Sequence, residues 1–289
     1  MPSPMQLPGG SGNDIEDRRD EEGGGGGGGG IGGIHLGIGG TIIVGLLSLV
    51  FHQNLFQMFS GEPTAAVPSG QHDTARDARE QPEVNTVSSV LDDVQGTWDK
   101  TLIAQQNRQY HHAKLVLYRD QTNSSCGTAQ TATGPFYCPE DEKVYLDLGF
   151  FDELRSRFGA PGEFAQAYVI AHEIGHHVQK ILGIEQKVRQ LQQREPGEVN
   201  PLSVRLELQA DCFAGVWANS TEQRGLIGDA DVKSAMGAAA AVGDDRLQKA
   251  SRGTVNPETF THGSSAQRVS WFQKGFESGK VGSCNTFSQ

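Results

Sequence analysis

The sequence predicts a helix-rich α+β fold with a small sheet, preceded by one N-terminal transmembrane helix. Three observations carry this reading. A charge-free apolar stretch lies near the N-terminus, short β-type runs fall between residues 114 and 148, and nearly everything after Phe150 has helical periodicity. The 289 residues hold 24 Lys+Arg against 35 Asp+Glu, a formal charge of −11. That balance argues against nucleic acid as a partner, which would require a basic face to neutralise phosphates. Of the 38 glycines, 17 fall in residues 1–51, so the unusual composition is local and the remainder reads as an ordinary domain.

Residues 1–30 run through a charged stretch, Asp14–Glu22, into eight consecutive glycines, Gly23–Gly30. So little apolar surface predicts a disordered, Gly-rich cytoplasmic arm. Residues 31–51 contain no Asp, Glu, Lys or Arg and are long enough to span a hydrocarbon core of about 30 Å as a helix. A cleaved signal peptide is the alternative; the long preceding arm and the lack of a tight A-x-A site after Phe51 favour an uncleaved anchor. Gly33, Gly37, Thr41 and Gly45 form a small-xxx-small row, which fits a helix dimer or mere continuation of the glycine run. Arg18 and Arg19 precede the span and no basic residue follows until Arg76. This asymmetry places the N-terminus in the cytoplasm and the C-terminal part on the extracytoplasmic side, as a single-pass membrane protein.

Residues 52–81 read as a linker and 82–289 as the folded domain. Val87, Val90, Leu91, Val94 and Trp98 share one helical stripe. Lys114–Tyr118, Phe136–Cys138 and Val144–Leu148 read as strands. Gly162–Leu182 is a helix closed by Gly183, and Asn200-Pro201 opens another that runs to about Asn219. Ser264 and Gln267 have capping-box spacing for a last helix.

The cysteines, Cys126, Cys138, Cys212 and Cys284, form no C-x-x-C pair. An even number in a part placed outside the membrane predicts two disulfides. Proximity alone favours Cys126–Cys138 and Cys212–Cys284; four free thiols would follow if the orientation were reversed.

The chemistry centres on H-E-x-x-H at His172, Glu173 and His176. Four helical residues advance about 6 Å and 400°, so the two imidazoles project from one face and can share one Zn²⁺. Glu173 lies beside them, placed to hold a water and take its proton. Tyr168, Val169, Ile170, Ala171, Ile174 and Val178 make the helix apolar, and buried His and Glu are costly unless paired or metal-bound. A catalytic zinc requires a third protein ligand. Glu207 fills that role, one turn before Asp211 on another apolar helix. Asp211 is expected to accept a hydrogen bond from the free ring nitrogen of His172 and fix its tautomer. Cys212 and His177 point away from the metal.

HEIGHH followed by ELQAD resembles the gluzincin side of the zincin metallopeptidases. More closely, the chain resembles the predicted neutral zinc metallopeptidase family of bacterial membrane-anchored proteins. The likeness takes in Glu16–Arg19, the glycine run, the single span, Cys126–Pro139, Lys143–Leu154, Ala167–Gln179, Ser203–Ala218 and Phe260–Phe272. It implies a zincin-like fold, one catalytic zinc ion and hydrolysis of peptide or protein substrates, with Glu173 as general base. It also implies edge pairing of an extended substrate with Val144–Leu148. His262 is the candidate donor to the developing oxyanion, with an ordinary loop or capping histidine as the competing reading. Two other functions stay open on sequence grounds: a zinc-containing binding or assembly protein without turnover, and hydrolysis of a non-peptide bond.

Overall fold

The computed structural model describes residues 5–21, 74–130, 134–156 and 163–288. Its elements begin with β1 (Ile15–Asp17), α1 (Thr74–Gln106), β2 (Lys114–Tyr118), β3 (Gln121–Ser124), β4 (Gly127–Gln130), β5 (Phe136–Cys138) and β6 (Lys143–Asp147). Helices follow: α2 (Gly149–Ser156), α3 (Glu163–Ile181), α4 (Ile184–Arg194), α5 (Val199–Gln223), α6 (Asp229–Ala241), α7 (Asp244–Arg252) and α8 (Ser265–Ser278). This is the helix-rich α+β class that the sequence predicts.

One sheet has the order β1-β2-β6-β5, with β1, β2 and β6 parallel and β5 antiparallel to β6. Successive side chains of a strand alternate between faces. Leu115, Leu117, Val144 and Leu146 accordingly enter the main helical core, while Val116, Tyr118 and Tyr145 meet a smaller cluster with Ala129 and Cys138 on the other side. Both faces of β2 are covered from Leu115 on, which is why LVLY after the exposed Lys114 carries no charge. The β3–β4 hairpin lies over that second face, and the Cys126–Cys138 disulfide ties it to β5.

Helix α3 is buried along almost its whole length and packs against α1, α5 and α6; α8 packs along α5. The Cys212–Cys284 disulfide fastens α5 to the C-terminal segment. Buried Asp93 joins α1 to α5 by accepting from Trp217 Nε1 (2.8 Å), Thr221 Oγ1 (3.1 Å) and Arg224 Nη2 (2.9 Å). Both predicted disulfide pairings are present, and Ser264 and Gln267 form the reciprocal cap of α8.

Three sequence expectations are corrected here. Residues 5–21, read as part of a disordered arm, are ordered on the domain: β1 pairs Ile15–Asp17 with Leu115–Leu117. Too apolar-poor to fold alone, this segment uses a ready-made sheet edge. The domain also begins before residue 82, because α1 starts at Thr74 inside the expected linker. Its first turns carry no apolar stripe; ion pairs of Glu80 with Arg76 (2.8 Å), Arg119 (2.8 Å) and Arg19 (2.9 Å) hold them. Finally, the strand expected to pair with substrate is internal, because β6 lies between β2 and β5, leaving β5 as the outer strand on that side of the sheet.

The expected transmembrane segment, 31–51, lies outside the described residues. Among those described, no helix is long and apolar enough to cross a membrane.

Candidate metal centre

The site is built where α3 meets α5. A Cβ on Gly175 would sit 3.0 Å from the Ala210 carbonyl oxygen and 3.1 Å from its Cα, so the lack of a side chain permits the close helix approach. That approach brings Glu207, one turn before Asp211, onto the two histidines of α3. Glu207 Oε2 lies 3.2 Å from His172 Nε2, and Oε1 lies 3.5 Å from His176 Nε2. Each carboxylate oxygen therefore faces one imidazole.

The other ring nitrogens are occupied. His172 Nδ1 donates to Asp211 Oδ1 at 2.9 Å, and His176 Nδ1 donates to Gln179 Oε1 at 2.9 Å. Gln179 is itself fixed, its amide nitrogen donating to Leu206 O (2.7 Å) and Gln209 Oε1 (3.1 Å). With both Nδ1 atoms serving as donors, the two Nε2 atoms are the ones that face Glu207. Tetrahedral ligands about 2.0–2.1 Å from zinc sit about 3.3 Å from one another. The two Nε2–carboxylate distances match that spacing, and a set of two imidazoles and one carboxylate suits zinc. Among the described residues, no fourth His, Cys, Asp or Glu joins this cluster. His176 and Glu207 keep 20% and 19% of their side chains exposed, so one side of the trio is reachable from solvent.

Behind His172 lies a buried polar network. Asp211 accepts from His172, from the Tyr168 hydroxyl, and from Arg268 through Nε (2.8 Å) and Nη2 (2.9 Å). Burial pushes the Asp211 carboxyl up, but Arg268 and His172 outweigh it and hold it below the usual range. Burial likewise opposes ionisation of Glu207, yet His176, His262 and His172 keep it well below the usual carboxylate range. For His172, burial lowers the imidazole, but Asp211 and Glu207 outweigh it and bring it up to about 9. His176 is lowered, chiefly by burial.

Glu173 is 8% exposed. Burial pushes its carboxyl up to about 7, against the lowering influence of His172 and, last, of the Tyr137 backbone N–H on β5. One of the sheet's two outer strands, β5, is thereby placed near the acid. His262 sits in a loop wrapped around fully buried Asp244, whose Oδ2 accepts from the backbone N–H groups of Thr261 (2.7 Å), His262 (2.7 Å) and Gly263 (3.0 Å). Asp244 Oδ1 lies 3.3 Å from His262 Nδ1. Burial lowers the His262 imidazole, but Glu207 and Asp244 raise it on balance, so this histidine and the carboxylate of the cluster feel one another.

His177 is occupied elsewhere: its Nε2 donates to His111 O (2.7 Å) and its Nδ1 accepts from the Tyr137 hydroxyl (2.9 Å). Although His111, Glu142 and His177 lie close together, His177 has no ring nitrogen left for a metal.

The sequence reading missed Gln179, Tyr168, Arg268, Asp244 and Tyr137. Gln179 follows His176 by three residues, a spacing that places it on the same face. Arg268 precedes Trp271 and Phe272 by three and four residues and so shares their helix face, where a buried charge requires a partner. Asp244 and Tyr137 leave no comparable trace in the sequence.

A family profile described as "Putative neutral zinc metallopeptidase" matches residues 6–287. The chain belongs to this family. Among its relatives, the uncharacterized protein YpfJ of Escherichia coli strain K12 is 47% identical over 280 residues, covering 96% of each chain. The uncharacterized proteins Mb2605 of Mycobacterium bovis and Rv2575 of Mycobacterium tuberculosis are each 45% identical over 190 residues, covering 62% of this chain and 64% of theirs. No solved structure matches the chain. Zinc is the metal the family description names, and the donor set of His172, His176 and Glu207 fits it.

Proposed function

We propose that this member of the neutral zinc metallopeptidase family is an active peptidase that hydrolyses peptide bonds at one zinc ion held by His172, His176 and Glu207. The observation that carries the reading is the division of nitrogens: both Nε2 atoms face Glu207 while each Nδ1 is tied to its own acceptor. Bound zinc would supply Lewis acidity toward the scissile carbonyl and a water acidic near neutrality. Asp211 and Gln179 hold the two imidazoles in the tautomer that leaves Nε2 free. Glu173, buried beside the cluster, takes the proton of the attacking water and returns it to the leaving amine; a carboxyl near 7 suits both directions of transfer. His262, oriented by Asp244, donates to the developing oxyanion. Extended substrate pairs with β5 rather than with β6, because β5 is an outer strand and the backbone N–H of its Tyr137 acts on the Glu173 carboxyl.

Two disulfides and no free cysteine among the described residues support an oxidising, extracytoplasmic setting. Attachment to a membrane through residues 31–51 rests on the sequence alone. The open side of the cluster favours turnover over a purely structural zinc, which would be enclosed by four protein ligands.

The test is Glu173→Gln in the full-length chain, with zinc content and cleavage of a peptide library measured on the same sample. Zinc content is expected to stay at the parent level while cleavage falls by about 10²–10⁴-fold. Cleavage by the variant at the parent rate contradicts the assignment.

A further inference from the structure

Residues 5–21 are held on the domain by main-chain and side-chain contacts along their length. The strand bonds are flanked by Leu115 N–H donating to Asp14 O and Arg18 N–H donating to Leu117 O, both 2.8 Å. Upstream, Gly10 N–H donates to Ser89 Oγ (2.9 Å), Ser11 N–H to Asp92 Oδ2 (2.6 Å) and Gly12 N–H to Ser88 Oγ (3.0 Å), all on α1. Gln6 N–H reaches Leu226 O at 2.9 Å. Asp14 is nearly buried and meets Lys114 Nζ (2.8 Å), Gln95 Nε2 (2.9 Å) and His112 Nδ1 (2.6 Å). Arg19 is also nearly buried, paired with Asp17 (2.7 Å) and Glu80 (2.9 Å), while Lys143 pairs with Glu16 (2.6 Å). A Cβ on Gly10 would fall 2.2 Å from Ser88 Oγ and 2.5 Å from the Ser88 backbone carbon, so the groove accepts glycine there and little else.

We infer that the outer edge of β2 and the adjoining face of α1 form a docking groove whose occupant is the chain's own residues 5–21, and that this segment and the catalytic domain therefore lie on the same side of any membrane the protein meets. A β-ladder and direct ion pairs do not form across a hydrocarbon core of about 30 Å. Residues 22–73, which join segment and domain, include the apolar stretch 31–51. Both ends of that connection therefore lie in one compartment. The single-pass arrangement drawn from the sequence, with the N-terminus inside and the domain outside, is incompatible with this docking. Its basis also weakens, because Arg18 and Arg19 are engaged in ion pairs on the fold rather than free to set an orientation. This inference goes beyond the peptidase reading and does not depend on it.

The experiment uses the full-length chain in its native membrane, with one added cysteine at a time. Gly9 and Gly197 are exposed, and a side chain at either meets nothing within 4 Å, so Gly9→Cys and Gly197→Cys leave the fold unchanged. Each is treated with a membrane-impermeant maleimide before and after permeabilisation. Both sites labelling before permeabilisation, or both only after it, supports the inference; one before and the other only after overturns it. A second measurement follows tryptic cleavage at Arg18 and Arg19 in detergent. Gly10→Val is expected to speed that cleavage at least tenfold over the parent, with Gly9→Val as control. Equal cleavage rates in the parent and Gly10→Val overturn the docking itself.

Discussion

The Arg268 guanidinium grips the Asp211 carboxylate with two hydrogen bonds, Nε to Oδ2 at 2.8 Å and Nη2 to Oδ1 at 2.9 Å. Asp211 also orients His172, and Arg268 Nη2 itself lies 3.3 Å from His172 Nδ1 and 3.9 Å from Glu207 Oε2, so a cation on α8 reaches the candidate cluster both directly and through Asp211 on α5. Both groups are almost fully buried. Removing one partner of such a pair leaves an uncompensated buried charge, typically costing about 3–5 kcal/mol. Arg268→Met is therefore expected to lower the urea midpoint substantially and to weaken zinc binding by about 10–100-fold, the usual effect of losing an outer hydrogen-bond partner. Arg268→Lys keeps the charge without the planar fork and should recover part of the stability but little of the zinc affinity. Competition with a chelator of known affinity, alongside unfolding curves, checks both. Equal zinc affinity in the parent and both variants removes Arg268 from the account.

Zinc binding should depend on pH through His172. Its imidazole is raised to about 9 in the metal-free protein, well above the ordinary value near 6.5. Because the folded value is raised, the proton's contribution to stability is fully present below 6.5 and is lost as pH rises through about 9. Zinc requires the neutral ring, so it must displace that proton. Between about pH 7 and 9, apparent zinc affinity is expected to rise about tenfold per pH unit and then level off. Calorimetric titration in buffers of different ionisation enthalpy would count about one proton released at pH 7. No proton release there would show that His172 is already neutral.

His262 should matter to the chemical step more than to binding. His262→Ala is expected to lower kcat by about 10²-fold with KM changed little, as when one oxyanion donor is removed, and with zinc content intact. A loss confined to KM, or no loss at all, would assign His262 to the loop around Asp244 and to nothing more.

How much of this was legible in the sequence follows from range. The His172–His176–Glu207 cluster is legible because the two histidines are related by one helical turn, and because Glu207 and Asp211 sit on a second apolar helix where buried carboxylates require partners. The strands of the sheet's centre were readable from KLVLY and VYLDL, and the cap of α8 from Ser264 and Gln267. What escaped depends on which surfaces meet. β1 has only three residues of mixed character, and nothing in them announces the edge of β2 as a partner. The start of α1 is stabilised by ion pairs to Arg19 and Arg119 instead of an apolar stripe, so no periodicity marks it. VYLDL was readable as a strand, but its place inside the sheet was not, because order among strands is set by pairings that the local pattern does not encode. Asp244 acquires its role from a loop folded back over the N-terminus of α7, a tertiary arrangement without a local signature.

The most direct test of the central claim is the zinc-edge X-ray absorption spectrum of the full-length, zinc-loaded chain. The account predicts one zinc coordinated by two imidazole nitrogens at about 2.0–2.1 Å, with oxygen donors at about 2.0–2.2 Å from Glu207 and solvent. A sulfur scatterer at about 2.3 Å, or a first shell without two imidazoles, would contradict it.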